Sequence, residues 1–166
     1  MDLRDYLIGS VEDVHRMLGI ASQELTDDVA HWQPPGTVNT IAQLLAHVVT
    51  GEDQGSHRIR GEDLLFDSGN WASKTGIPAD RNIWGKGWRL NIEGFNEYRV
   101  LVAEQALAFA KTITPADLDG EFLPRPDGDP RPKTFAVRTL MMHHALGHCG
   151  EISTIKGLQG LKGLPF

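Results

Sequence analysis

Apolar residues along this chain recur at intervals of three and four, the spacing of one helix face, and the pattern breaks into four blocks. Leu3, Tyr6, Leu7, Val14, Met17, Leu18 and Ala21 predict a first helix from about Leu3 to Leu25. Ile41, Leu44, Leu45 and Val48 predict a second. It starts after Thr40, which forms a Thr-x-x-Gln capping box with Gln43, and it continues past Gly51 toward Arg60. Ile92, Phe95, Val102, Ala106 and Phe109 predict a third helix from Asn91 to Lys111, stopped by Thr114-Pro115. The last begins near Thr134, whose hydroxyl can cap it, and frays toward Gly157, Gly160 and Gly163. Residues 61–88, GEDLLFDSGNWASKTGIPADRNIWGKGW, are rich in turn formers and read as a long excursion with room for a short helix. FLPRPDGDPRPK carries too many prolines for a helix and reads as an irregular or hairpin-like connector. The expected fold is all-α: one domain over residues 1–166, a four-helix antiparallel bundle with one long connection.

The chemistry lies on the last helix. Val137, Met141, His144, His148, Ile152 and Ile155 form one stripe, so His144 and His148 point with the apolar residues toward the core. Imidazoles placed there need partners for their ring nitrogens. Two readings are open: a shared metal ion, which a His pair at i and i+4 can grip, or hydrogen bonds to backbone and water. His143 lacks such a partner, because position 147 is Gly, and it turns about 100° away. A metal site needs a third ligand, and the chain offers His15, His31, His47 and His57. His47 is the best placed, at the edge of the buried face of the second helix. A ligand and an ordinary exposed histidine both suit that edge.

These residues together resemble the DinB-like, or YfiT-like, metal-binding superfamily. The pattern of that family is one His in the second helix and His-x-x-x-His followed by Gly and an acid or amide in the last. Here it reads as His47 and as His144, His148, Gly150 and Glu151. HWQPPGTVNTIAQLLAHV and ITPADLDGEF extend the likeness over most of the chain. The resemblance implies an up-down-down-up bundle and a site of His47, His144 and His148 for a divalent metal, zinc first, with nickel or iron as alternatives. It also implies a small-molecule substrate, such as a low-molecular-weight thiol, and a homodimer. Thiol S-transfer, thiol-dependent isomerisation and hydrolysis are the activities it suggests. Its non-enzymatic counterpart is a metal-stabilised bundle acting as a binding or stress-response protein.

Composition narrows the partners. A formal net charge of −6 and a pI of about 5.6 argue against a nucleic-acid-binding face. The single cysteine, Cys149, excludes an internal disulfide and suits a reducing compartment; it reads as a small packing residue. No apolar run is long enough for a membrane span, and MDLRDYLIGS does not resemble a signal peptide, so a cytoplasmic location is expected. The His-Glu-x-x-His of zinc proteases, a haem-attachment Cys-x-x-Cys-His and a Gly-rich phosphate loop are absent. Beyond the three histidines, Glu151 either bonds a ligand histidine or pairs at the surface. Glu52 and Asp53 read as solvated helix-end charges. Trp84 and Trp88 pack on the bundle or a second subunit, or cover the site, and DLLF at 63–66 seals the excursion onto the core.

Overall fold

The computed structural model describes residues 2–80, 87–125 and 128–165. Trp84 lies outside the described residues. The four long helices are α1 (Leu3–Ala21), α3 (Ile41–Arg58), α6 (Ile92–Thr112) and a last helix. That last helix is built from α7 (Lys133–Phe135), a π-helical stretch (Ala136–His143) and α8 (His144–Leu158). Local signals set the starts. Asp2 accepts from the Asp5 amide at 2.9 Å, and Thr40 and Gln43 close the expected box at 3.2 and 2.8 Å.

Some boundaries differ from expectation, each for a visible reason. α1 stops at Ala21 because the Ser22 hydroxyl turns back to the Leu18 carbonyl at 2.5 Å and Glu24 adopts a positive φ of 56°. A short helix, α2 (Asp27–His31), follows, capped by Thr26. Thr134 does not cap the last helix. That position falls to Pro132, and Thr134 sits inside the first turn. Among its described residues the excursion holds two short helices, α4 (Leu65–Ser68) and α5 (Trp71–Thr75), with Leu64, Phe66 and Trp71 buried against the core. Trp88 packs at the margin of the same cluster. The connector before the last helix is a small hairpin of β1 (Glu121–Phe122) and β2 (Arg131–Pro132), antiparallel, with Phe122 opposite Arg131.

α1 and α3 each pack against α6 and the last helix, so they face each other across the diagonal. Direction follows from which ends meet. Gly51 faces His144 and Gly55 faces Leu140, so α3 runs antiparallel to the last helix. Lys156 donates to the Gln23 carbonyl at 2.8 Å, while Leu7 and Val11 share a cluster with Val137 and Met141, so α1 runs parallel to it. Gly19 meets Arg99, and Leu7 and Val11 meet Ala106 and Phe109, which sets α6 antiparallel to α1. The topology is therefore up-down-down-up. Two parallel neighbours, α3 and α6, require a crossing longer than a hairpin, and residues 59–91 supply it. α3 and the last helix approach closely because α3 shows them glycine: a Cβ on Gly55 would stand 2.9 Å from Leu140 Cβ. Among the described residues no helix is long and apolar enough to cross a membrane.

Candidate metal centre

His47, at mid-α3, and His144 and His148, in the first turns of α8, converge across this antiparallel seam. One donor nitrogen from each lies within 4.8 Å of the others. His47 Nε2 and His144 Nε2 are 2.8 Å apart. The three rings stand nearly at right angles, with interplanar angles of 78–82° and centroids 4.5, 4.7 and 5.2 Å apart. Donors arranged in this way occupy one face of a coordination sphere. An octahedral ion with bonds of about 2.1 Å sets adjacent donors roughly 3.0 Å apart, and a tetrahedral one about 3.4 Å. The residues fit a divalent cation.

The protonation states fit as well. Burial, followed by the nearby His47 and His148, pushes the His144 imidazole down to about 4, so it is neutral with a lone pair available at pH 7. Its Nδ1 is buried against α3 with no hydrogen-bond partner among the described residues. Gly51 makes that position possible: a Cβ there would stand 3.1 Å from His144 Cε1 and 3.3 Å from Nδ1. His148 is oriented differently, its Nδ1 lying 2.5 Å from Glu151 Oε2. A proton held on Nδ1 by that carboxylate leaves Nε2 free to coordinate. Glu151 thus bonds the histidine.

The histidines do not point into the core itself. Ala145, Cys149 and Ile152 carry the buried line of α8, and His144 and His148 flank it, facing the seam at intermediate exposure. The π-helical stretch accounts for the shift, since its wider turns rotate the following face relative to a plain α-helical stripe. His143 is exposed, as its spacing predicts. Cys149 is buried, and burial raises its thiol to about 11, which suits a packing residue rather than a nucleophile.

The other candidate histidines are occupied elsewhere. His15 Nε2 lies 3.0 Å from Glu52 Oε1. His31 Nε2 accepts from the Leu90 amide at 2.9 Å, and its Nδ1 lies 2.8 Å from the Asp27 carbonyl oxygen. His57 Nδ1 lies 2.9 Å from Asp53 Oδ1.

Two acids expected in solvent are fully buried. Glu52 is 0% exposed on the inward side of α3, and burial raises its pKa despite His15. Asp53, also 0% exposed, accepts from the Leu65 and Phe66 amides at 3.1 and 2.9 Å and from the Tyr98 hydroxyl at 2.7 Å. It thereby supplies the N-terminal cap that α4 lacks locally. A charge near a helix end reads as solvated only when nothing folds over it. Here the excursion does.

The chain matches the model of the DinB superfamily over residues 10–152. It belongs to that superfamily. A structure of a conserved protein from Enterococcus faecalis superposes on this DinB-superfamily chain with a TM-score of 0.78 at 14% identity, covering 95% of this chain and 97% of the other. That likeness establishes the fold. No curated protein matches in sequence. The DinB fold places His47 and His144 beside a cleft of about 470 Å³, bounded by these two with Gly51 and Gln54 on one side and by Arg125 and Arg131 of the connector on the other. Nothing in helical periodicity marks these arginines. Their only signal is their position among prolines, in a segment that had to fold back somewhere.

Proposed function

We propose that this chain is a divalent-metal-dependent enzyme of the low-molecular-weight thiol S-transferase or hydrolase type, with His47, His144 and His148 as ligands and zinc as the first choice of metal. The reading includes a small-molecule substrate, a homodimer and a cytoplasmic location. One observation carries it: three imidazole donors converge, among the described residues without a carboxylate in the cluster, and two of them, His47 and His144, line a cleft that a small molecule can enter. Structural zinc sites are closed by four protein ligands, whereas sites with three and an open side belong to catalysis. A divalent ion held there would supply Lewis acidity, polarising a carbonyl, lowering the pKa of a water or stabilising a thiolate. The protein's part is to keep the His144 imidazole neutral, hold the proton on His148 Nδ1 with Glu151, and seat the substrate between α3 and the connector.

The test compares metal-depleted and zinc-reconstituted protein in thiol-transfer and ester-hydrolysis assays. Activity that disappears with the metal and returns with it supports the reading. A reconstituted protein that binds zinc but neither turns over substrates nor binds a small thiol is the metal-stabilised bundle instead.

Two variants probe the support of the ligands. Glu151→Gln is expected to cost about 10–100-fold in zinc affinity, measured by competition with a chelator, because the amide no longer fixes the His148 proton. Gly51→Ala is expected to weaken zinc binding by about tenfold as its Cβ displaces the His144 ring. The same change leaves the metal-free fold as stable as before, or more so by about 0.5–1 kcal/mol, since alanine favours a helix interior. Thermal unfolding with and without zinc separates these two effects.

A further inference from the structure

The cleft has two unlike walls. His47 and His144 form one, and the connector forms the other with Arg125, Asp129 and Arg131. At about 470 Å³ it accommodates a small organic molecule that touches both walls at once.

The arginine wall is anchored. Arg58 of α3 donates to the Pro124 carbonyl at 2.5 Å, the Lys133 amide donates to the Gly120 carbonyl at 3.1 Å, and the β1–β2 pairing closes the base of the loop. Arg131 lies over the Phe135 ring, 5.8 Å from its centroid, which steadies the guanidinium beside the cleft. Among the described residues Arg16, Arg60 and Arg89 each meet a carboxylate, Asp13, Glu62 and Asp27 in turn, while Arg4, Arg58, Arg99 and Arg138 form no ion pair. Arg125 and Arg131 form no ion pair among the described residues, and Asp129 is the one carboxylate among the described residues of this cleft. In a chain of net charge −6, two arginines without an ion pair among the described residues, on the cleft wall across from His47 and His144, favour anions there.

We infer that Arg125 and Arg131 form a subsite for the carboxylate of an anionic small-molecule substrate, whose other end carries the group that reaches the metal. This inference rests on the metal-site reading above. Guanidinium groups match a carboxylate's planar fork, and the chain meets such a ligand with two of them. Asp129 opposes it and sets an upper limit on affinity.

The experiment titrates zinc-loaded protein with mercaptosuccinate, a thiol bearing two carboxylates, and with 2-mercaptoethanol, which bears none, by calorimetry. Metal content is measured in parallel on every sample. Mercaptosuccinate is expected to lose about tenfold in affinity in the Arg125→Gln/Arg131→Gln double variant, while 2-mercaptoethanol affinity and zinc content stay unchanged. Asp129→Asn is expected to move mercaptosuccinate the opposite way, tightening it by about two- to threefold, a direction that misfolding does not produce. Raised salt should erode the preference in the wild type. Equal mercaptosuccinate affinity in wild type and double variant would mean that the ion alone chelates it, overturning the subsite and leaving the metal reading intact. Zinc-loaded protein that binds neither thiol overturns the subsite as well. Failure to take up zinc at all removes the metal reading and this inference together.

Discussion

His144→Ala and His148→Ala are each expected to lose the stoichiometric metal ion, and His143→Ala to keep it. The three donors converge within 4.8 Å from two helices, and removing one leaves two donor nitrogens, too few to compete with water and buffer for a divalent ion. The expected loss exceeds about 100-fold in affinity, beyond what a change in the supporting shell produces. His143, one position earlier on the same helix, is exposed and serves as the control. Elemental analysis and chelator competition on the three variants read the result. Thermal unfolding adds an independent view. If the histidines act through one ion, their alanine variants share a single loss of metal-dependent stabilisation, and a second substitution adds little. If they only pack, each variant changes stability on its own account.

Asp53→Ala is expected to destabilise the fold by about 3–5 kcal/mol, the largest stability effect anticipated for one side chain here. That is a large share of the roughly 5–15 kcal/mol available to a domain. The substitution leaves His57, the Tyr98 hydroxyl and the first amides of α4 without their common acceptor, in a place that water does not reach. The pH dependence follows from the pair. Burial alone would raise the Asp53 carboxyl, but His57, Tyr98 and the Phe66 amide outweigh it and hold its pKa below the usual value. The hydrogen bond to Asp53 raises the His57 pKa against the effect of burial. The carboxylate's contribution is complete above about pH 3.9 and is lost as pH falls through its lowered folded value. The imidazolium's contribution is complete below about pH 6.5 and is lost as pH rises through its raised folded value. Urea unfolding across pH should therefore show a plateau between these limits, and Asp53→Ala should remove this pair's share of both slopes. A variant within about 0.5 kcal/mol of wild type at pH 6 would contradict the role assigned to this residue.

Helices built on a continuous apolar stripe were legible in sequence because burial demands the stripe whatever surrounds it. Ile41 through Val48, with Thr40 and Gln43 at the start, is one such stretch. The three histidines were legible for a related reason: His-x-x-x-His puts two donors on one helix face, His47 stood out at the edge of the second helix's buried face, and the resemblance to a known family favoured the ligand reading over an ordinary exposed histidine. What escaped were features fixed by other parts of the chain. The π-helical stretch before His144 changes the phase of the helix, and no residue type within Ala136–His143 announces it. Asp53 reads as a surface charge until α4, more than ten residues on, lays its amides over it. Arg125 and Arg131 face the cleft only because the hairpin folds back and Arg58 fastens it.

The proposed function stands or falls with one ion that bridges α3 and α8. Elemental analysis of protein purified without a histidine tag, together with His47→Ala and His144→Ala, tests it most directly. About one divalent ion per chain is expected in the wild type and none in either variant. Folded wild-type protein that carries no metal and takes up neither added zinc nor nickel would contradict it.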